Sequence, residues 1–275
     1  MSAVYGVAAS VGIGVGDHLT RGAADRVGIR LTLASFFFMG IPVSAVGALV
    51  MGSRWVAADI FIGALTGVIA VLAIGSLYLG YASATAGVVA PPAAVVAVAL
   101  PVLVDLIRGT VPTVTVVAGM LLGIVSVLLI TVSPRIVGNV RRGFSFGLAA
   151  GIGYGCMFIM LDQLSAVSGF WPVMSQRAVA FTILAAASIG SRSPVFPSRA
   201  VFMTIIHGSI WGGIGAMFFV YGLQHGDLAP VTVTGTQYAA VTVVCGMVFR
   251  GEQMRWWQGA GLLGAVSAVA LIVAG

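Results

Sequence analysis

The chain has 275 residues, 60% of them hydrophobic and only 7% charged, with a mean hydropathy of +1.12; a soluble domain is about 25% charged, so that class is excluded. Its formal charge of +6 comes from thirteen arginines set against seven acidic residues. These arginines fall singly or in pairs between apolar runs, which excludes the continuous basic face of a nucleic-acid binder and fits membrane anchors and orientation signals.

A helix crossing the hydrocarbon core needs about 20 mostly apolar residues. Cut at charges, prolines and glycine-rich turns, the sequence predicts ten such spans, at 3–20, 28–51, 55–79, 82–107, 113–132, 143–164, 170–190, 200–223, 227–249 and 256–274. Helices are required because each backbone amide in lipid must be satisfied within its own segment, and the alternation of a membrane barrel is absent. The first span is expected to be retained, since Met1-Ser2-Ala3-Val4 lacks the basic start of a cleaved signal peptide. Cys156 and Cys245 lie inside apolar runs and read as small hydrophobes rather than a disulfide or metal pair. The longest connection, SPRIVGNVRR from Ser133 to Arg142, divides the spans five and five, into units 1–136 and 137–275, and leaves no room for an extramembrane catalytic domain.

The two units repeat each other. With an offset of 141 residues, Gly6, Ala8, Ala9, Gly12 and Gly14 fall on Gly147, Ala149, Ala150, Gly153 and Gly155, and Leu121-Leu122-Gly123 falls on Leu262-Leu263-Gly264. Ala90-Pro91 answers Ala229-Pro230, and Arg108-Gly109 answers Arg250-Gly251, with small register shifts. An odd number of spans per repeat inverts the second copy, which is how many secondary transporters are built around a midplane site. The expected fold class is therefore an all-α polytopic membrane protein of ten transmembrane helices in two inverted five-helix repeats. Gly143, Gly147, Gly151 and Gly155 form one stripe of the sixth span and Gly208 and Gly212 one of the eighth, where small residues let helices approach closely in lipid. Gly12, Gly14, Gly147, Gly151, Gly155, Pro91 and Pro230 are the expected packing and hinge positions.

Polar residues within spans are costly and are read first as functional. His207 and Trp211 stand four apart near the middle of the eighth span; the bland alternative for His207 is a core imidazole bonded to a carbonyl. Thr232, Thr234, Thr236, Gln237 and Tyr238 make the ninth span unusually polar, and an amide facing lipid would be expensive. With Tyr154 they give the expected substrate set: His207, Trp211, Gln237, Tyr238 and Tyr154. Asp17 and Arg21 stand four apart on the first span, as an intrahelical pair or a coupling site. Arg21 and Asp162 are equivalent under the offset and opposite in charge, but inversion puts them at opposite faces. Asp162 reads as a solvated rim, and Arg30 and Arg177 as anchors that reach the headgroups.

The Gly-rich first helix of each half, Arg30 and Arg177 in the second, the small-residue-then-proline fourth helix and the closing Phe249-Arg250-Gly251-Glu252 with Gln258-Gly259-Ala260 resemble the drug/metabolite transporter superfamily, specifically its EamA-type ten-helix members. The first half departs from the closing motif, with Thr110 where Glu252 would fall. The resemblance implies movement of small organic solutes, commonly export of amino acids, metabolites or drugs, without ATP hydrolysis, in a multi-pass protein of the inner (plasma) membrane. No enzyme activity, metal or cofactor is expected: Gly12-Ile13-Gly14-Val15-Gly16 lies inside an apolar span instead of following a strand. The expected partners are membrane lipid and a small solute, with no nucleic acid and no obligate oligomer. A passive channel and a non-transporting membrane partner are the alternatives. The interior, read as free of basic groups, favours a neutral or zwitterionic solute. Counting arginines by loop places both termini outside, whereas the resemblance implies both inside, and the sequence reading follows the resemblance.

Overall fold

The computed structural model describes residues 2–84, 86–109, 112–131, 138–250 and 255–274. Apart from one isolated bridge between Ala84 and Gly138, the regular secondary structure of the described residues is helical. The helices are α1 (Ser2–Val27), α2 (Ile29–Val50), α3 (Ala57–Ser83), α4 (Ala86–Ile107), α5 (Val114–Thr131), α6 (Val140–Asp162), α7 (Trp171–Gly190), α8 (Arg199–Gln224), α9 (Leu228–Gly235), α10 (Tyr238–Arg250) and α11 (Trp256–Ala274). Eight segments among the described residues are long and apolar enough to cross a membrane, α9 and α10 together forming one of them, and α5 is a shorter apolar helix. The chain is an all-helical polytopic membrane protein.

Two expectations about the spans change. The helix α1 runs on to Val27, past the expected end at residue 20, because charged residues stop a span without stopping a helix: outside the hydrocarbon they are simply hydrated. It ends at Gly28, whose φ of 82° is open to glycine and disfavoured for other residues. The ninth span is two helices, interrupted at Thr236 and Gln237. The hydroxyls of Thr232, Thr234 and Thr236 bond back to the carbonyls of Leu228, Pro230 and Val233, which offers the backbone acceptors a second partner and weakens the ladder where it breaks.

The bundle has two ends. One, the terminal end, gathers the start of α1 and the finish of α8, where Tyr5 and Tyr221 lie 4.8 Å apart, together with the finish of α4 and of α6, joined by Arg108 and Asp162. At the opposite, distal end the start of α6 meets the finish of α3, since a Cβ on Gly143 would lie 2.6 Å from that of Ala84. Thus α1 and α6, the first helices of the two halves, run in opposite directions.

Bare backbones make the main seams. A Cβ on Gly12 would sit 2.7 Å from the Cα of Gly215, and one on Gly16 2.7 Å from the carbonyl oxygen of Gly208, so α1 and α8 touch backbone to backbone. Gly14 does the same against Tyr238 of α10, at 2.7 Å from its carbonyl oxygen. Gly147, Gly151 and Gly155 seat α6 on Val89, Ala93 and Leu100 of α4. Pro91 lies inside α4, while Pro230 sits in the first turn of α9, where its missing N–H costs nothing.

Candidate substrate cleft

The terminal end is shut. Ala9, Leu161, Leu164, Val173, Phe219, Val220, Leu223, Leu228 and Val231 form one buried apolar plug, with the Phe158 ring tilted against that of Phe219, centres 5.0 Å apart. Polar contacts stitch its rim. Asp105 of α4 accepts the backbone N–H of Ala229 at the start of α9, at 2.6 Å, and Arg108 bridges Asp105 and Asp162 of α6. Asp59 accepts from the backbone and hydroxyl of Ser165, and the amide of Gln224 donates to the carbonyls of Ser165 and Gly169 at 3.1 and 3.2 Å. The first of these contacts joins the first half of the chain directly to the broken helix of the second.

The middle of the bundle is different. Tyr154 of α6 lies within electrostatic reach of Tyr238 on α10, Tyr78 and Tyr81 on α3, and Asp17 on α1. Tyr238 keeps 37% of its surface accessible. Asp17 is accessible there and accepts from the hydroxyl of Thr242 at 3.4 Å; that hydroxyl also faces the carbonyl of Gly14 at 3.2 Å. Tyr238 is the first residue after the α9–α10 break, so the interrupted backbone and the aromatic cluster meet. Unwound backbone of this kind survives within a membrane only where protein or a cavity satisfies it, and it recurs at transporter substrate sites.

Of the residues singled out in the sequence, Tyr154 and Tyr238 come together. Gln237 is 4% exposed and turns the other way, its Nε2 donating to Val233 and toward Gly123 of α5 while its Oε1 has no partner. His207 and Trp211 lie on α8. His207 bonds the carbonyl of Met203 through Nδ1 at 2.8 Å, and both side chains lie on the exposed stripe of α8 with Met203, Ile210 and Phe218. That stripe is opposite the glycines that pack on α1, and it corresponds to the exposed, wholly apolar stripe Phe61, Leu65, Val68, Leu72 and Leu79 of α3. The Arg21 side chain and Glu252 lie outside what the structure describes. Gln258 of the closing motif caps α11 by accepting from the N–H of Arg255, and it donates to Ile130.

Two sequence readings are corrected. Asp162 is no solvated rim but the acceptor of Arg108. Arg177 does not reach the headgroups: it is 3% exposed, laid across Gly40 of α2 with its guanidinium 5.5 Å from the Phe36 ring centre. The interior therefore does contain a basic group. Sequence reasoning also missed Tyr78 and Asp105; an aspartate in the apolar run Val102-Leu103-Val104-Asp105-Leu106-Ile107 was a signal that could have been followed.

With this geometry in hand, comparison places the chain. Residues 141–274 match the EamA-like transporter family. Twenty-nine chains of solved structures match the fold; one crystal structure, described only as that of a protein, superposes with a TM-score of 0.79 at 16% sequence identity, over 98% of this chain and 95% of the other. At that identity the match shows the fold alone. No curated protein matches significantly. The matched family is one of transporters rather than enzymes, and the described helices are those of a multi-pass membrane protein; together they support a membrane transporter of the drug/metabolite kind.

Proposed function

We propose that the protein is a secondary transporter that exports or exchanges small organic solutes, amino acids, metabolites or drugs among them, across the inner (plasma) membrane by alternating access. The two five-helix units, residues 1–136 and 137–275, act as inverted repeats that rock about the tyrosine cleft. The observation that supports this reading is the asymmetry of the bundle: an apolar plug and polar stitching close the terminal end, while Tyr154, Tyr238 and Asp17 come together at the middle, Tyr238 and Asp17 with accessible surface. A channel would need a path through the plug, so that alternative is disfavoured.

In this reading Tyr154, Tyr238, Tyr78 and Tyr81 hold the apolar part of a neutral or zwitterionic solute, and the unwound turn at Thr236 and Gln237 offers backbone dipoles. Asp17 is the acid placed to couple solute movement to a proton. His207 and Trp211 face outward, and their role becomes membrane anchoring. The test is counterflow in proteoliposomes with the purified protein and a panel of labelled amino acids and amphipathic metabolites. Saturable uptake stimulated by internal unlabelled solute is expected; unsaturable flux, equal for all probes, would overturn the carrier. If Asp17 couples, Asp17→Asn retains exchange but loses uptake driven by a pH gradient.

A further inference from the structure

Arg177 carries a positive charge into the middle of the bundle. Gly40, on which it lies, is the twelfth of the 22 residues of α2, so the guanidinium sits level with the centre of that helix rather than near either membrane face. Its Nε and Nη1 are completely enclosed and have no hydrogen-bond partner. Four carboxylates among the described residues are engaged elsewhere: Asp59 with Ser165, Asp105 and Asp162 with Arg108, and Asp17 with Thr242. The ring of Phe36 is the compensation the protein supplies. A cation–π contact is worth only a small part of what it costs to bury an ion.

The surroundings are built for something else to arrive. Gly40 has no side chain, and any Cβ there would strike the guanidinium, 2.9 Å from Cζ, so the group is seated against bare backbone. Val173, one turn before Arg177 on α7, belongs to the plug, which puts the arginine on the distal side of the closed gate. One turn from Gly40 on α2 is Ser44, whose buried hydroxyl has no partner either. A guanidinium is a rigid fork that matches a carboxylate bidentately, and a neighbouring hydroxyl supplies a further donor.

We propose that Arg177 is the receptor for a single carboxylate on the transported solute, with Ser44 as its second donor, so that the substrate class is a monocarboxylate or zwitterion with an apolar body. This rests on the transporter reading and narrows it. One cation balances one negative charge; a phosphate dianion would leave an uncompensated charge at the same depth, with no second basic group beside it among the described residues.

The experiment compares purified wild-type protein with Arg177→Gln, Arg177→Lys and Ser44→Ala. Each is titrated with paired probes that differ only at the carboxylate, such as an amino acid and its carboxamide, with apparent melting temperature as the readout and counterflow measured in parallel. Wild type is expected to be stabilised by carboxylates and not by the matching carboxamides, since a ligand that binds only the folded state raises its stability. In Arg177→Gln the ligand-free protein melts higher, because an unpaired buried charge is gone, and the carboxylate response is weakened about tenfold or more. Arg177→Lys keeps part of that response, and Ser44→Ala weakens it while leaving the ligand-free melting temperature near wild type.

Equal stabilisation by acid and amide, no stabilisation by any carboxylate, or a lower ligand-free melting temperature in Arg177→Gln would each overturn the site. Stabilisation by chloride, or by anionic but not neutral lipid, in place of the solutes would make Arg177 a structural counter-ion site and would likewise overturn it. Carboxylate-specific stabilisation without counterflow would leave the site standing and overturn transport, whereas counterflow that ignores the carboxylate would do the reverse.

Discussion

Tyr238 and Trp211 are both large aromatic residues in the middle of apolar segments, and they are expected to behave in opposite ways. Tyr238→Ala removes a wall of the cleft, and the half-saturating solute concentration in counterflow should rise about tenfold, in line with an aromatic contact worth about 1 kcal/mol beyond its buried area. Trp211→Ala should transport as wild type does, because its ring lies on the outward stripe of α8; a loss comparable to that of Tyr238→Ala would return it to the site. Gln237→Ala should cost about 1 kcal/mol of stability, measured by thermal unfolding, through the lost bond to Val233, without changing affinity. At this scale the sequence was half legible. It located polar and aromatic residues in apolar spans, but not the direction each faced, because that depends on which neighbours α8 and α10 pack against. The periodicity of glycines did hold that information for α8: Gly208, Gly212 and Gly215 mark the side pressed on α1, and His207 and Trp211 fall on the other. For Arg177 no such clue existed, since its burial depends on Gly40 of a different helix.

Among the elements, α1 and α8 make the seam most exposed to test. Gly16→Leu must push its side chain into the backbone of Gly208 and Gly212, and about 3 kcal/mol of destabilisation is expected, seen as a lower melting temperature in detergent. Gly75→Leu is the control, because a Cβ there meets nothing within 4 Å; it should melt as wild type does, and equal losses in both would remove the seam from consideration. Apart from the finish of α1, the helix ends were readable from hydropathy to within about four residues, since lipid leaves backbone groups no alternative. The α9–α10 break was not, because the run from Leu228 to Phe249 is apolar enough to span in one piece and the three threonines that loosen it act on their own carbonyls. An isolated threonine in a helix carries no such meaning; three on alternate residues before a glutamine do.

For the whole molecule, charge sets the orientation. Arg26, Arg30, Arg141, Arg142, Arg192, Arg199 and Arg255 belong to the distal end, and Arg54 and Arg108 to the terminal end. They occupy end turns and connections, where the positive-inside rule counts them, so the distal end is expected in the cytoplasm and both termini outside, against the expectation taken from the family resemblance. An alkaline phosphatase fused to the C-terminus should be active; an active cytoplasmic reporter at that position in its place would reverse the orientation. The gate gives a second measurement. Asp105→Ala removes the acceptor that ties α4 to the start of α9 and a partner of Arg108, a loss of about 2 kcal/mol. In a protein carrying Cys156→Ala and Cys245→Ala, a reporter thiol at Leu161→Cys in the plug should then react with a water-soluble reagent from the terminal side at least tenfold faster. An unchanged rate would show that the plug holds without the stitching.

The residues of that stitching are not repeated. Under the repeat, Asp162 and Arg108 fall on Arg21 and Arg250, and a shift of 142 sets Asp105 on Met247, so the sequence does not supply the same acid–base set twice. A carrier with one reinforced gate spends most of its time facing the other side, and its apparent affinity from the reinforced side is lowered by the small fraction of molecules open to that side. Half-saturation is then expected to differ between the two faces of the membrane, even though the binding pocket is the same from both. Yet a bias built into the protein cannot alter the final ratio of solute across the bilayer, because any weakening of entry on one face is matched by altered turnover there. The locked end therefore makes this carrier a kinetic diode and not a pump: it decides from which side solute is gathered at low concentration, and leaves accumulation to whatever gradient Asp17 or an exchanged solute brings to the cycle.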